Sequence, residues 1–74
     1  MDINQQKKYV FKEAYQTEDG TIPEGTEIIV FRGLVYINGG MADAYSRHLI
    51  LNIISNNNDF KKYLTQVQLI NNKI

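Results

Sequence analysis

The sequence predicts a single small α+β domain, residues 1–74, in which a small antiparallel sheet packs against one main amphipathic helix. Segments 9–15, 27–31 and 34–37 are rich in β-branched and aromatic residues, which is typical of strands. Segment 41–56 repeats its apolar residues with the period of an α-helix. A chain of 74 residues has room for one hydrophobic core.

The amino-acid composition excludes some classes of protein and disfavours others. Apolar residues make up 43% of the chain, which favours a folded core over disorder. The chain has no Cys and a single His, which excludes disulfides and zinc fingers and favours a reducing, cytoplasmic setting. Eight basic and eight acidic residues cancel, so general nucleic-acid binding is disfavoured. The polar start and the short apolar runs predict neither a signal peptide nor a membrane span.

The N-terminal half is expected to contain three strands. Residues 1–7 are polar and are predicted to be loose, and the first strand covers 9–15. Pro23 suits the second position of a type I turn with Gly25 at the fourth, directly before strand 27–31. Arg32-Gly33 then turns the chain into strand 34–37, and this pair also allows a longer or bulged turn.

The C-terminal half is expected to be mainly helical. Asn38-Gly39-Gly40 ends the third strand, and the helix over 41–56 ends at Asn56-Asn57-Asn58. Asp59 caps a short second helix, 60–64, and alternation over 65–69 predicts a last strand, which gives the order β-β-β-α-α-β. The apolar stripe of the main helix is formed by Ala42, Tyr45, Ser46, Leu49, Ile50, Ile53 and Ile54. Leu51 points roughly opposite this stripe.

The second and third strands are apolar on both faces, whereas a sheet with one wet face should alternate apolar and polar residues. Ile28 and Val30 oppose Ile29 and Phe31, and strand 34–37 has the same pattern. One helix covers only one face. Either the C-terminal segment covers the other face, or a partner or a second copy of the chain does.

The second explanation predicts a homodimer or small oligomer, and another protein as a further partner. It requires candidate interface residues on the strands and on the far side of the helix. These candidates are Tyr9, Phe11, Ile29, Phe31, Val35 and Leu51.

A ligand site is the alternative hypothesis. Gly39 and Gly40 precede the main helix, and free N–H groups at a helix start can hold a phosphate or carboxylate, with Arg47 or Arg32 nearby. The glycine spacing matches neither a dinucleotide fingerprint nor a P-loop. A strand-to-helix turn that needs Gly for positive φ explains the same residues.

No catalytic, metal-binding or cofactor-binding constellation is visible. His48 shares its helix side with Leu51 and Ser55, but Ser55 is about two turns away, too far for a nucleophile–base pair. Glu18 and Asp19 are adjacent but lie in a predicted turn. The sequence therefore predicts a protein that is not an enzyme and needs no cofactor or metal.

Five residues could form a basic patch with stacking aromatic rings. They are Arg47, Lys61, Lys62, Tyr45 and Tyr63. The charges are few and lie among acidic residues, so ordinary solvated faces are favoured over a nucleic-acid site.

The chain resembles, in style, the small proteins encoded by phages and prophages of AT-rich Gram-positive hosts. The resemblance lies in its richness in Asn, Ile, Lys and Tyr, in segments 21–28 and 35–40, in Asn56-Asn57-Asn58 and in the end Asn71-Asn72-Lys73-Ile74. It implies an accessory role, such as inhibition of a host enzyme or defence protein, or a minor assembly role.

The first prediction concerns catalysis. His48→Ala should leave folding and biological activity nearly unchanged, because nothing near His48 in the sequence gives the imidazole a chemical task. Thermal denaturation followed by circular dichroism, together with an activity assay, checks this. Loss of activity in a normally folded variant would contradict the non-enzymatic interpretation.

Overall fold

The computed structural model describes residues 6–67, which form seven strands and two helices. The strands are β1 (Lys7–Phe11), β2 (Tyr15–Thr17), β3 (Gly20–Ile22), β4 (Glu27–Phe31), β5 (Leu34–Ile37), β6 (Gly40–Met41) and β7 (Leu64–Val67). The helices are α1 (Ala44–Ser55) and α2 (Asn57–Tyr63). Strands β6, β5, β4, β1 and β7 form, in that order, one antiparallel sheet, and β2 and β3 form a separate hairpin. The predicted α+β fold, a small antiparallel sheet packed against a main helix, is confirmed.

The first predicted strand is divided in the structure. β1 stops at Phe11, and β2 begins at Tyr15. The N–H of Phe11 donates to the carbonyl oxygen of Thr26 (3.0 Å), and the carbonyl of Phe11 accepts from the N–H of Gly25 (2.7 Å). These hydrogen bonds join the end of β1 to the segment just before β4. The β2–β3 hairpin lies in the sequence between these two strands and forms a separate two-stranded sheet.

Two tight hairpin turns connect β4, β5 and β6. Arg32 and Gly33 have φ values of 54° and 79°, and Asn38 and Gly39 have values of 49° and 90°. Positive φ at both central residues is typical of type I′ turns, whose twist matches that of the flanking strands. The direct turn predicted at Arg32-Gly33 is therefore confirmed, and the longer alternative does not occur. The strand-to-helix turn expected at Asn38-Gly39 is wrong, because these residues connect β5 to β6.

The turn before β4 also differs from the expectation. The N–H of Thr26 donates to the carbonyl of Pro23 (3.3 Å), so Pro23 is the first residue of the turn and Gly25 the third. Gly25 has a φ of 90°, which a type II turn needs at its third position. The buried hydroxyl of Thr26 donates to the same carbonyl (2.7 Å), which satisfies this polar group inside the fold.

Side-chain caps set the helix boundaries. Asp43 caps α1, its carboxylate accepting from the N–H of Ser46 (2.8 Å), so the helix begins later than the predicted residue 41. Asn56 ends α1 and caps α2, its side-chain oxygen accepting from the N–H groups of Asn58 and Asp59 (3.1 Å each). The predicted cap at Asp59 is therefore wrong, and α2 begins at residue 57.

β7 pairs with β1 and begins one residue before the predicted last strand. Gln68 and Leu69, the end of that prediction, lie outside the described residues, as do residues 1–5 of the predicted loose N-terminus. Lys7, also predicted to be loose, belongs to β1.

The core lies between one face of the sheet and the two helices. Its buried apolar side chains come from β1, β4, β5, β7 and α1: Tyr9, Phe11, Ile28, Val35, Ile50, Ile53 and Leu64. Leu51 is half-buried and packs against this cluster, which corrects the expectation that it points away from the core. The reason is that α1 contacts both β5 and α2, so more than one side of the helix is covered.

Replacement of a core residue should strongly lower the free energy of unfolding. Ile53→Ala should cost about 2–5 kcal/mol, because it removes buried methylene groups and leaves a cavity. Folded proteins are in general stable by only about 5–15 kcal/mol, and Ile53→Ala could remove most of that in a small domain. The milder Ile53→Val, at about 0.5–1.5 kcal/mol, keeps the effect measurable. Urea denaturation gives both values.

Asn52→Ala is the matched control, because Asn52 is the exposed neighbour of Ile53 on α1. It should change the unfolding free energy by less than about 0.5 kcal/mol. Equal losses for Asn52→Ala and Ile53→Ala would contradict the placement of this helix face.

Candidate functional site

The five-stranded sheet has a second face that neither described helix covers. Successive side chains on a strand point to opposite faces. The buried side chains of the strands all lie on the face that packs against α1 and α2. We call the opposite face the open face, and its apolar side chains are Val10, Ile29, Phe31, Leu34, Tyr36, Met41 and Val67.

The strand register places the apolar side chains of the open face next to one another. Ile29 pairs with Tyr36, and Phe31 pairs with Leu34. Tyr36 also pairs with Met41 on the other side. Directly opposed side chains on neighbouring strands contact each other, so the apolar surface is continuous from β4 to β6.

The open face has both projecting and recessed parts. Leu34 is 39% exposed and Met41 is 64% exposed, and both belong to the continuous apolar surface of this face. Beside them lies a shallow cavity of about 270 Å³, lined by Gln6, Ile29, Phe31, Tyr36 and Gly39.

Charge is sparse on the open face. Lys8 and Glu27 form an ion pair of 3.4 Å between β1 and β4. The guanidinium group of Arg32 lies over the ring of Phe31, 5.3 Å from its centre, at the β4–β5 turn. A surface ion pair contributes about 0–1 kcal/mol, so the apolar side chains dominate what this face can bind.

The six residues predicted to form an interface separate into three groups. Ile29 and Phe31 lie on the open face. Tyr9, Phe11 and Val35 do not lie at the surface, and this part of the expectation is corrected: their side chains are 5%, 0% and 1% exposed. Leu51 lies on α1, half-buried against the core, so it too belongs to the helix side of the sheet.

The sequence pattern does not reveal every residue of the open face. It places Met41 in the main helix and Val67 in a last strand, without showing that either lies on this face. Asn38-Gly39 is a strong signal for a two-residue hairpin turn, and it could have predicted β6 and hence the position of Met41 beside Tyr36.

The predicted ligand site at a glycine-rich helix start does not form. Gly39 and Gly40 belong to the β5–β6 hairpin, and α1 begins only at Ala44. The carboxylate of Asp43 already occupies the helix start, and its hydrogen bonds with Ser46 hold the pKa of Asp43 below its usual range. This negative charge opposes the binding of an anion at that position.

The two candidate arginines are not brought to the glycines. Arg32 lies in the β4–β5 turn and Gly39 in the β5–β6 turn, at opposite ends of β5. Arg47 is exposed on the first turns of α1, where its N–H donates to the carbonyl of Asp43 (2.8 Å). Of these residues, Gly39 alone lines the cavity of the open face.

The remaining candidates lie on the surface of the helices. His48 is exposed on α1. Lys61 and Lys62 are in the last turn of α2, where positive charge complements the helix dipole, and the amino group of Lys62 lies 5.2 Å from the centre of the Tyr63 ring.

Among residues 6–67, no group of three or more His, Cys, Asp or Glu side chains could hold a metal ion. Neither of the two described helices is both long and apolar enough to cross a bilayer.

An aromatic cluster closes one end of the core on the helix side. Tyr15 from β2 packs edge-on against Tyr63 (4.7 Å between ring centres) and contacts Phe11 (6.2 Å). Tyr9 packs edge-on against Phe60 (5.7 Å). Burial raises the pKa of Tyr15, and the negative charge of Asp59 raises it further; burial also raises the pKa of Tyr9.

Comparisons with known proteins give no match: no family model, no curated protein sequence and no solved structure is similar to the chain.

The raised tyrosine pKa values predict a loss of stability at alkaline pH. A tyrosine in the unfolded chain ionises near pH 10, whereas Tyr9 and Tyr15 in the fold resist ionisation. Folding stability is thus intact below about pH 10 and falls as the pH rises through the folded-state pKa values. Urea midpoints at pH 8 and pH 11 measure this.

Tyr15→Phe keeps the ring and removes the hydroxyl, so this variant should lose less stability than the wild type between the two pH values. The comparison at pH 8 controls for any effect of the substitution on packing. Identical alkaline losses in both proteins would show that Tyr15 is not responsible.

Proposed function

We propose that this chain is a non-enzymatic protein-interaction module that binds its partner through the open face. The observation that carries the proposal is the two-sided apolar sheet. Helices α1 and α2 cover one face, and the other keeps Ile29, Phe31 and Tyr36 together with the exposed Leu34 and Met41.

The energetics of the open face support a binding role. Each large apolar side chain that becomes fully buried contributes about 1.5–3 kcal/mol. A sheet with one solvated face normally carries polar side chains there. Isolated apolar residues are common on protein surfaces, but a contiguous patch of them is typical of an interaction site.

The chemistry of the open face favours a protein over the other classes of partner. Its cavity is lined mostly by apolar side chains, and the ion pair of Lys8 with Glu27 adds no net charge. A nucleotide or nucleic acid needs convergent positive charge or backbone N–H groups, and the helix start is already capped by Asp43. An apolar protein surface matches the open face best.

The stylistic resemblance to small phage-encoded proteins supports a more specific form of the proposal. In that form the module is an accessory protein that inhibits a host protein by binding it. The open face would be the inhibitory surface.

Affinity capture with matched variants tests the proposal. The double variant Leu34→Asp, Met41→Asp places two charges on the open face at exposed positions, so the monomer should still fold. Asn52→Asp adds a charge on the exposed side of α1 and serves as the control. A protein captured from a host lysate is then purified, and its affinity for each variant is measured by calorimetry.

The wild type and Asn52→Asp should bind alike, and the double variant at least about tenfold more weakly, since burial of an unpaired charge at an apolar contact is costly. Equal affinity for all three proteins would show that the open face is not the binding surface.

A further inference from the structure

We propose that Asn38 is a site of spontaneous deamidation that the folded β5–β6 turn suppresses, and that its conversion to isoaspartate releases β6 from the sheet. Asn38 precedes Gly39, and no other Asn of the chain precedes a glycine. Glycine has no Cβ to shield its backbone nitrogen, so that nitrogen can attack the neighbouring side-chain amide. Both residues are exposed at the tip of the hairpin, where water reaches them. The inference is independent of what the open face binds.

The reaction needs no reagent other than water. The backbone nitrogen of Gly39 loses its proton to a solvent base and bonds to Cγ of Asn38, and the side-chain nitrogen leaves as ammonia. The product is a five-membered succinimide ring, which water then opens. Hydrolysis at one ring carbonyl gives aspartate. Hydrolysis at the other gives isoaspartate, in which the main chain runs through Cβ and Cγ.

The side chain of Asn38 is part of the β4–β5 ladder. The N–H of Asn38 donates to the carbonyl of Glu27 (2.8 Å), and Oδ1 of Asn38 accepts from the N–H of Glu27 (2.9 Å). In an antiparallel pair the second acceptor is normally a main-chain carbonyl. Here the side chain replaces it, at the residue where the chain turns toward β6. Asn38 has a φ of 49°, a left-handed conformation in which Asn is common.

This geometry keeps the reacting atoms apart. A type I′ turn holds ψ of its first central residue near about 30°. At that angle the nitrogen of Gly39 lies nearly opposite Cβ of Asn38 across the Cα–C bond, whereas ring closure needs both on the same side. The hydrogen bond from Glu27 also ties the side-chain carbonyl to β4. The turn therefore has to open before the succinimide ring can form.

Isoaspartate does not fit the folded turn. Its extra main-chain atom lengthens the two-residue loop, and the carbonyl that accepted from Glu27 becomes part of the main chain. β6 consists of Gly40 and Met41, and both are exposed, so little burial holds it in the sheet. Its position depends on the loop. The pairing of Gly40 with Ile37 and of Met41 with Tyr36 should therefore be lost.

Ageing of the full chain at mildly alkaline pH, in buffer and in denaturing urea, tests the suppression. Peptide mapping by mass spectrometry and an isoaspartate-specific methyltransferase assay follow position 38. Asn38 should convert at least about tenfold faster in the unfolded chain, which corresponds to an opening free energy of about 1.4 kcal/mol or more. Asn52, which precedes Ile53, is the internal reference and should convert far more slowly than Asn38 in urea.

A full-length chain synthesised with isoaspartate at position 38 tests the release of β6. In its NMR spectrum the amides of Gly40 and Met41 should shift and lose protection from hydrogen exchange, while those of β1 and β4 keep theirs. Asn38→Asp is the matched control, because it has the same composition and charge but an unaltered main chain. Its carboxylate can still accept from the N–H of Glu27, so this variant should keep β6 paired.

Three results would overturn the proposal. The first is equal rates of conversion at position 38 in buffer and in urea, because the folded turn then gives no protection. The second is an unfolded chain in which Asn38 converts no faster than Asn52. The third is an isoaspartate chain whose Gly40 and Met41 signals match those of Asn38→Asp, because the altered main chain then has no effect of its own on β6.

Discussion

The fold depends on β1, which lies between β4 and β7 and pairs with both. β4 belongs to the hairpins of the first half of the chain, whereas β7 follows the two helices. At the end of β1, Phe11 bonds to Gly25 and Thr26, and the N–H of the next residue, Lys12, donates to the carbonyl of Tyr63 (2.8 Å). This one strand therefore joins the two halves of the chain, and the ring of Phe11 is fully buried between them.

Both helices pack on one side of the sheet. This is the side on which β1 places Tyr9 and Phe11. The aromatic contacts of Tyr9 with Phe60 and of Phe11 with Tyr15 fill that side. The two helices and the core lie on one side of the sheet, and residues 6–67 contain no further helix or strand that covers the other face.

Binding of a partner to an apolar face of this kind raises the folding stability of the domain. A small domain buries about 60% of the surface of its unfolded chain, so its stability is marginal. Any partner that binds the folded chain alone stabilises it by mass action.

The sequence by itself determined the positions of β4 and β5, the existence of α1 and the apolar character of both sheet faces, because these depend on neighbouring residues and on fixed periods. It also indicated two residues of the candidate site, Ile29 and Phe31. Only the tertiary structure decided that Tyr9, Phe11 and Val35 are buried while Tyr36 and Met41 lie on the open face. The physical reason is that alternation shows which side chains share a face but not which face a distant helix will cover. That choice depends on contacts between segments far apart in the chain, such as the packing of Tyr9 against Phe60, which a local pattern does not contain.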